Sequence, residues 1–268
     1  MGKIQPSEIR AINQKASNDS GVRSNFFYGN LLEQKRYIFV LNYIRNLDVL
    51  DCASGIGWGS FLMAQAGARR VVGVELSQSA VLTARKYYSC KNVEFVNSAI
   101  EDASVCEGLF DVVVSFETLE HVSNPTSFLK KLRLIARKNA TLFLSTPNGR
   151  AFKLSGDAAY NPYHLEEYTR EDLERMFMDS DWSVVEYRGQ YPMKSDSIEL
   201  EKYRKFIRGY WHQQKLRRRL GLPYRVVAFL NRKMGFEMVE PAFSGDCNPV
   251  VIEKGYEPAY HYFILRAL

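Results

Sequence analysis

The chain has 268 residues, 46% of them apolar and 25% charged, with a formal net charge of +6, an ordinary balance for a globular protein and enough apolar material for one core domain with a sizeable appendage. No apolar run approaches the roughly 20 residues of a membrane-spanning helix, and Met1–Ser7 contains no apolar leader, so neither a transmembrane segment nor a secretory signal is expected. The four cysteines, Cys52, Cys90, Cys106 and Cys247, lack C-x-x-C spacing, which sets aside a cysteine-rich zinc module and points to a reduced, cytoplasmic chain.

Residues 1–30 are polar and read as an arm ending in the aromatic cluster Phe26-Phe27-Tyr28. Leu31, Leu32, Ile38, Leu41 and Ile44 recur at helical spacing, which predicts a helix from Leu31 to Asn46. Strands then alternate with helices: strands over 48–53, 70–75, 93–97, 111–116 and 141–146, and helices over 58–66, 78–89 and 125–137. Ser123-Asn124 before Pro125 is a helix start, and Thr169 with Asp172 is a capping-box pattern opening a helix to about Asp179. A sixth strand is expected over 182–187. The best seventh strand, Tyr260–Leu265, comes only at the end of the sequence, which leaves residues 189–258 as an insertion too long to be a simple connection. Between Lys194 and Lys233, twelve Lys and Arg face three acids, a local charge of +9 that leaves −3 for the rest. The organisation expected is therefore an arm and first helix over 1–46, an α/β doubly wound core over 47–188, a basic helical insertion over 189–258, and a last strand over 259–268 completing a seven-stranded sheet.

The most informative stretch is Val49-Leu50-Asp51-Cys52-Ala53-Ser54-Gly55-Ile56-Gly57-Trp58-Gly59-Ser60. An apolar strand delivers an acid to a small-residue turn, and a helix begins behind it. Glycines there let a ligand approach the backbone, and a helix start offers unpaired N–H groups. Arg70–Ser77 is a second buried strand ending in an acid, Glu75, about 20 residues on, the spacing of a ribose-binding carboxylate. Both features suit a nucleotide-like ligand. The dinucleotide fingerprint is not met, because Ser60 stands in its last place.

Asp51-x-Ala53-x-Gly55-x-Gly57 instead resembles motif I of class I S-adenosylmethionine-dependent methyltransferases, with Ala53 where that family usually has Gly. Alanine is nearly as small, but it would be strained if the turn needed positive φ. The resemblance continues in order through Val93–Asp102, Phe110–Val122 and Leu142–Asn148. It implies a Rossmann-like methyltransferase fold. It also implies that Glu75 takes the ribose hydroxyls and that Asp51, Ala53, Gly55 and Gly57 line the methionine side through backbone contacts. Ser98 and Ala99 would meet the adenine edge, Leu76 and Ile100 would sandwich the ring, and Phe116 would form the methionine wall. For Leu76 and Ile100, plain core packing is the competing explanation. Tyr28 is either a lid over the cofactor, as the resemblance suggests, or an apolar staple for the first helix.

Acceptor chemistry is expected beyond the fourth strand, where Glu117, Glu120 and His121 share a helical face and where His164 arrives from Asn161-Pro162-Tyr163-His164. Glycan and lipopolysaccharide-cluster methyltransferases resemble the chain over these segments. Small-RNA 2′-O-methyltransferases and ubiquinone-pathway O-methyltransferases share the Glu-x-x-Glu-His element. By resemblance to the RNA enzymes, Glu117, Glu120, His121 and His164 would hold a divalent metal (Mg, Mn or Zn) that lowers the pKa of an acceptor hydroxyl. Two alternatives stay open: metal-free catalysis by Glu117, His121 and His164 with His121 as general base, or a bracing role for Glu120 and His164. His212 and His261 read as surface and strand residues. The expected acceptor is a small sugar- or phosphate-bearing hydroxyl compound, with the basic insertion contacting phosphate. RNA is the alternative, since Arg217-Arg218-Arg219 lie near Tyr203, Phe206, Tyr210 and Trp211, as is a solvated or partner-binding helix. A non-catalytic cofactor-binding subunit is the reading from a different class.

Overall fold

In the computed structural model, residues 31–102, 110–152, 161, 163–194, 219, 249–252 and 256–268 are described. Tyr28, His212 and nearly all of the basic insertion lie outside them. Helix α1 (Leu31–Val40) and a 3-10 turn (Leu41–Tyr43) lead into β1 (Asp48–Cys52), α2 (Trp58–Gln65), β2 (Arg70–Glu75), α3 (Gln78–Tyr87) and β3 (Val93–Asn97). There follow β4 (Phe110–Phe116), a 3-10 turn (Leu119–His121), α4 (Pro125–Ile135), β5 (Ala136–Pro147) and the short α5 (Gly149–Phe152). The chain closes with α6 (Arg170–Met178), β6 (Trp182–Lys194) and β7 (Tyr256–Ala267).

The sheet order is β3-β2-β1-β4-β5-β7-β6. The first five strands in that order run parallel, and β7 runs antiparallel to both neighbours. This is the expected seven-stranded sheet. Strand order reverses between β1 and β4, and in such sheets the crevice at that switch point, beyond the strands' carboxyl ends, receives ligands.

Strand alternation divides the core in two. Leu50, Val72, Val113, Leu142 and Leu144 face α4 and α6, packing on Phe128, Leu132, Leu173, Phe177 and Trp182. Val49, Val71, Val112, Val114 and Phe143 face the other way, onto Tyr37, Val40, Leu62 and Met63. A period of two on strands buried on both faces explains why those strands are almost wholly apolar. Trp182 is fully buried, and its indole N–H donates to the Leu129 carbonyl at 3.0 Å. The local start signals operate as expected. Asn124 Oδ1 accepts the Ser127 N–H with Pro125 in the first turn of α4, and Thr169 and Asp172 form a reciprocal capping box on α6.

Several boundaries differ from the sequence expectation, β5 among them, which starts at Ala136 instead of 141. The first helix ends at Val40 rather than Asn46, because the chain tightens to 3-10 geometry and Asn46 turns left-handed at φ 60. Helix α4 stops at Ile135 because Ala136 already pairs with Phe110 of β4. Strands β6 and β7 are longer than expected because each is the other's partner, from Trp182↔Ala267 to Lys194↔Tyr256. No helix among the described residues is long and apolar enough to cross a membrane.

Candidate active site

The turn after β1 carries three residues at positive φ: Ala53 at 58°, Gly55 at 55° and Gly57 at 87°. For an L-residue this conformation costs about 1–2 kcal/mol, so Ala53 is strained where a glycine would not be. The two glycines are required differently. A Cβ on Gly57 would lie 2.6 Å from Ala84 Cβ and 2.7 Å from the Phe95 ring, whereas one on Gly55 would meet nothing within 4 Å. Gly57 therefore lets α2 and α3 pack closely, while Gly55 leaves backbone facing open space.

Glu75 closes one side of that space. Its carboxylate accepts the Gly55 N–H at 3.0 Å and the Ser77 N–H at 2.8 Å. Asn97 Nδ2 donates to the carbonyls of Glu75 and Leu76, which fixes the tip of β2 against β3. Leu76, next to Glu75, is 73% exposed, Ile100 is buried, and the Ser98 hydroxyl donates to the Ala99 carbonyl. Phe116 is buried edge-on to Tyr37, with ring centroids 5.1 Å apart.

Asp51 lies beneath the turn rather than on its open side. It is fully buried, and it accepts from Ser60 Oγ at 2.6 Å and from Tyr37 OH at 3.1 Å. Burial raises its carboxyl to about 7, against the opposing pull of these two hydrogen bonds. Burial and the neighbouring Asp51 in turn push the Tyr37 phenol well above its ordinary range.

Beyond β4 the backbone turns left-handed at Glu117, φ 50. The four expected ligands separate here. Glu117 forms an ion pair with the buried Arg36 of α1 at 2.7 Å and accepts from Ser145 Oγ at 2.9 Å. Arg36 also bonds Gln190 of β6 and lies 4.7 Å from the centre of the Tyr260 ring. Glu120, His121 and His164 do come together, with their ligating atoms all within 4.8 Å of one another. Glu120 has no exposed surface; its Oε2 accepts from Thr146 at 2.9 Å, and its Oε1 has no hydrogen-bond partner among the described residues. Burial first, and then the charge on Glu117, hold its carboxyl well above the usual range. His121 Nδ1 lies 2.9 Å from the Tyr163 carbonyl, so that nitrogen carries the proton and Nε2 the lone pair. Desolvation and the adjacent His164 lower its pKa, which keeps the ring neutral at neutral pH. The two imidazoles meet edge to face, centroids 4.9 Å apart.

His261 is a strand residue, as expected, buried between the Tyr187 hydroxyl and the Tyr168 carbonyl, with its pKa lowered by burial to about 4. Sequence reading missed Arg36, Tyr37, Ser60, Thr146 and Glu167, all of which contact expected site residues. The signal for Ser60 was its place on the helix after the turn. No local signal marks Arg36, whose partner Glu117 is distant in sequence.

A methyltransferase-domain family model matches residues 25–187. Among curated proteins, the chain is 29% identical over 144 residues to a probable S-adenosylmethionine-dependent methyltransferase of Mycobacterium tuberculosis, covering 54% of this chain and 52% of that one. It is 25% identical over 169 residues to the mitochondrial ubiquinone biosynthesis O-methyltransferase of Dictyostelium discoideum, covering 54% and 53%. The chain thus spans about half the length of these relatives. Among solved structures it resembles an S-adenosylmethionine-dependent methyltransferase from Mesorhizobium loti (TM-score 0.54, 12% identity, 88% of this chain and 99% of that one). It also resembles the [4+2]-cyclase SpnF (TM-score 0.58, 15% identity, 88% and 80%). At such identities the likeness establishes the fold, and a fold alone does not fix the chemistry. The family match covers most of the described core, and the chain belongs to the methyltransferase-domain family.

Proposed function

We propose that the chain binds S-adenosylmethionine over the β1–α2 turn and methylates a hydroxyl of a small polar acceptor, a sugar-bearing compound first. The observation that carries this reading is the open space at Gly55, flanked by the Glu75 carboxylate and by the 73%-exposed Leu76. A carboxylate at the tip of β2 suits ribose hydroxyls, and Leu76 with Ile100 suits the purine faces. Ser98 and Ala99 are assigned to the adenine edge, and Ala53, Gly55 and Gly57 to the methionine side. Phe116 forms the wall there and Asp51 braces the turn from below. The bound cofactor supplies a sulfonium methyl for in-line displacement, and the chain's task is to hold the acceptor in line with it. His121, neutral and with Nε2 free of its own Nδ1–carbonyl bond, is positioned to take the hydroxyl proton. The ubiquinone O-methyltransferases among the relatives support an oxygen acceptor. The basic part of residues 189–258 is read as the region that meets an anionic group on the acceptor.

A second reading has one observation in its favour. Glu120 Oε1, buried without a hydrogen-bond partner among the described residues, sits with His121 and His164 in a donor set of one carboxylate and two imidazoles, which fits Zn better than Mg or Mn. An ion there would lower the acceptor hydroxyl's pKa. Glu117, committed to Arg36, is not in that set.

The test is methyl transfer from labelled S-adenosylmethionine into cell extract by the full chain. Label in a nuclease-resistant, small glycan fraction supports the proposal; nuclease-sensitive label favours RNA. No transfer by a chain that still binds the cofactor points to a regulatory subunit. Loss of transfer on chelation, restored by Mg2+, Mn2+ or Zn2+, assigns the ion.

A further inference from the structure

An ion held among Glu120, His121 and His164 needs an open lone pair from each of them. Glu120 Oε1 has no hydrogen-bond partner among the described residues. His121 gives its Nδ1 hydrogen to the Tyr163 carbonyl, 2.9 Å away, which leaves a lone pair on Nε2. His164 differs, because both of its ring nitrogens are engaged. Nδ1 lies 2.8 Å from Glu167 Oε1, and Nε2 lies 2.7 Å from Asn161 Nδ2. A carboxylate oxygen accepts, so Nδ1 carries the hydrogen. An amide nitrogen only donates, so the one lone pair on Nε2 is the one that Asn161 fills.

Asn161 is anchored in that position. Its Oδ1 accepts the Tyr163 N–H at 3.0 Å, which fixes which way round the amide lies, and its carbonyl accepts the His164 N–H at 2.9 Å. The residue is only 9% exposed. A zinc ion would sit about 2.0–2.1 Å from Nε2 along the same lone pair, so it would collide with an amide nitrogen 2.7 Å from that atom. Entry of the ion therefore requires the amide to swing away, which breaks its bond to His164 and its bond to the Tyr163 N–H. Glu117 is already paired with Arg36 at 2.7 Å. With Asn161 in place the cluster offers two ligand atoms, Glu120 Oε1 and His121 Nε2, whereas catalytic zinc sites use three protein ligands.

We propose that Asn161 keeps the acceptor site free of metal: its amide fills the coordination position at His164 Nε2, and His121 acts as a base without an ion. This rests on the acceptor-site reading above, and of its two forms it favours proton removal by His121. Asn161 selects the chemistry by occupying an atom of the site and touches no substrate.

Calorimetric titration of the full chain with Zn2+, after removal of metal by a chelator and without cofactor, reads this competition directly. Asn161→Ala frees Nε2. Asn161→Ser frees it too, and its hydroxyl still offers an acceptor to the Tyr163 N–H, which protects the fold. Both variants should bind Zn2+ at least about tenfold more tightly than the wild type, because the ion no longer has to break the two Asn161 side-chain hydrogen bonds. Adding His164→Ala to either variant should abolish the gain, which separates this site from zinc held by the four cysteines or the other histidines. Wild-type Zn2+ affinity that falls in His164→Ala alone, or folded Asn161 variants with wild-type Zn2+ affinity, would overturn the proposal. The titrations need neither cofactor nor turnover, so that outcome is separable from failure of the methyltransferase reading, which would appear as absence of S-adenosylhomocysteine binding by the wild type.

Discussion

Gly55 and Gly57, separated only by Ile56, offer a sharp test of the turn. Gly55→Ala and Gly57→Ala each place an L-residue at positive φ, a cost of about 1–2 kcal/mol that the less flexible unfolded chain offsets by about 0.4–1 kcal/mol. For Gly55 nothing further is lost from the fold, since its added Cβ meets no atom within 4 Å. A net loss of about 1 kcal/mol, or about 2–4 °C in Tm, is expected. Gly57 adds the overlap with Ala84 at 2.6 Å and Phe95 at 2.7 Å, and overpacking of that kind costs about 1–3 kcal/mol more. Its Tm should fall by about 4–16 °C. Ligand binding should separate the two again. The Gly55 methyl would occupy the space assigned to the cofactor, and calorimetry with S-adenosylhomocysteine should show at least a tenfold loss, equivalent to about 1.4 kcal/mol. A Gly55→Ala chain that binds with wild-type affinity, or that is destabilised as much as Gly57→Ala, would refute the assignment of that space.

Asp51 gives a pH signature. Its buried carboxyl titrates near 7 and an unfolded one near 3.9, so between those values the native state holds a proton that the unfolded state has lost. Stability therefore falls as pH rises from about 4 to about 7, by on the order of 4 kcal/mol for this group, and levels off above. Urea unfolding of Asp51→Asn should show a flatter profile over that window, and an unchanged slope contradicts the burial argument. Arg36→Met strands Glu117, which keeps 30% of its side chain exposed; a loss of about 2–4 kcal/mol is expected, somewhat below the full range for a buried pair. Adding Glu117→Gln should recover at least about 1 kcal/mol, and simple additivity of the two would show that the pair is not coupled.

Much of the core was legible because its signals are local. The apolar strands, the acid at the tip of β2, the Asn124 cap and the Thr169–Asp172 box each act within a few residues. What sequence could not show is set by distance and by facing. The resemblance assigns Asp51 to the methionine side through backbone contacts, and only the fold shows that strand alternation aims its carboxyl at Tyr37 and Ser60. Glu117 is a fourth metal ligand by resemblance, but at its left-handed backbone position it is committed to an ion pair with Arg36, and the three grouped ligand atoms are those of Glu120, His121 and His164. The strain at Ala53 was foreseeable as a condition, and only φ could show that the condition is met. Strand lengths at the β6–β7 edge depend on a pairing across residues 195–255, which no window along the chain can register.

The account turns on the pocket between Gly55 and Glu75, and titration calorimetry of the full chain with S-adenosylhomocysteine, wild type against Glu75→Ala, probes it most directly. Hydrogen bonds to a charged group are worth about 1.5–3 kcal/mol each, so removing a carboxylate that serves both ribose hydroxyls should weaken binding by about a hundredfold or more while the chain stays folded. Absence of heat and of any thermal shift with the wild type, or equal affinity in the folded Glu75→Ala chain, would contradict it.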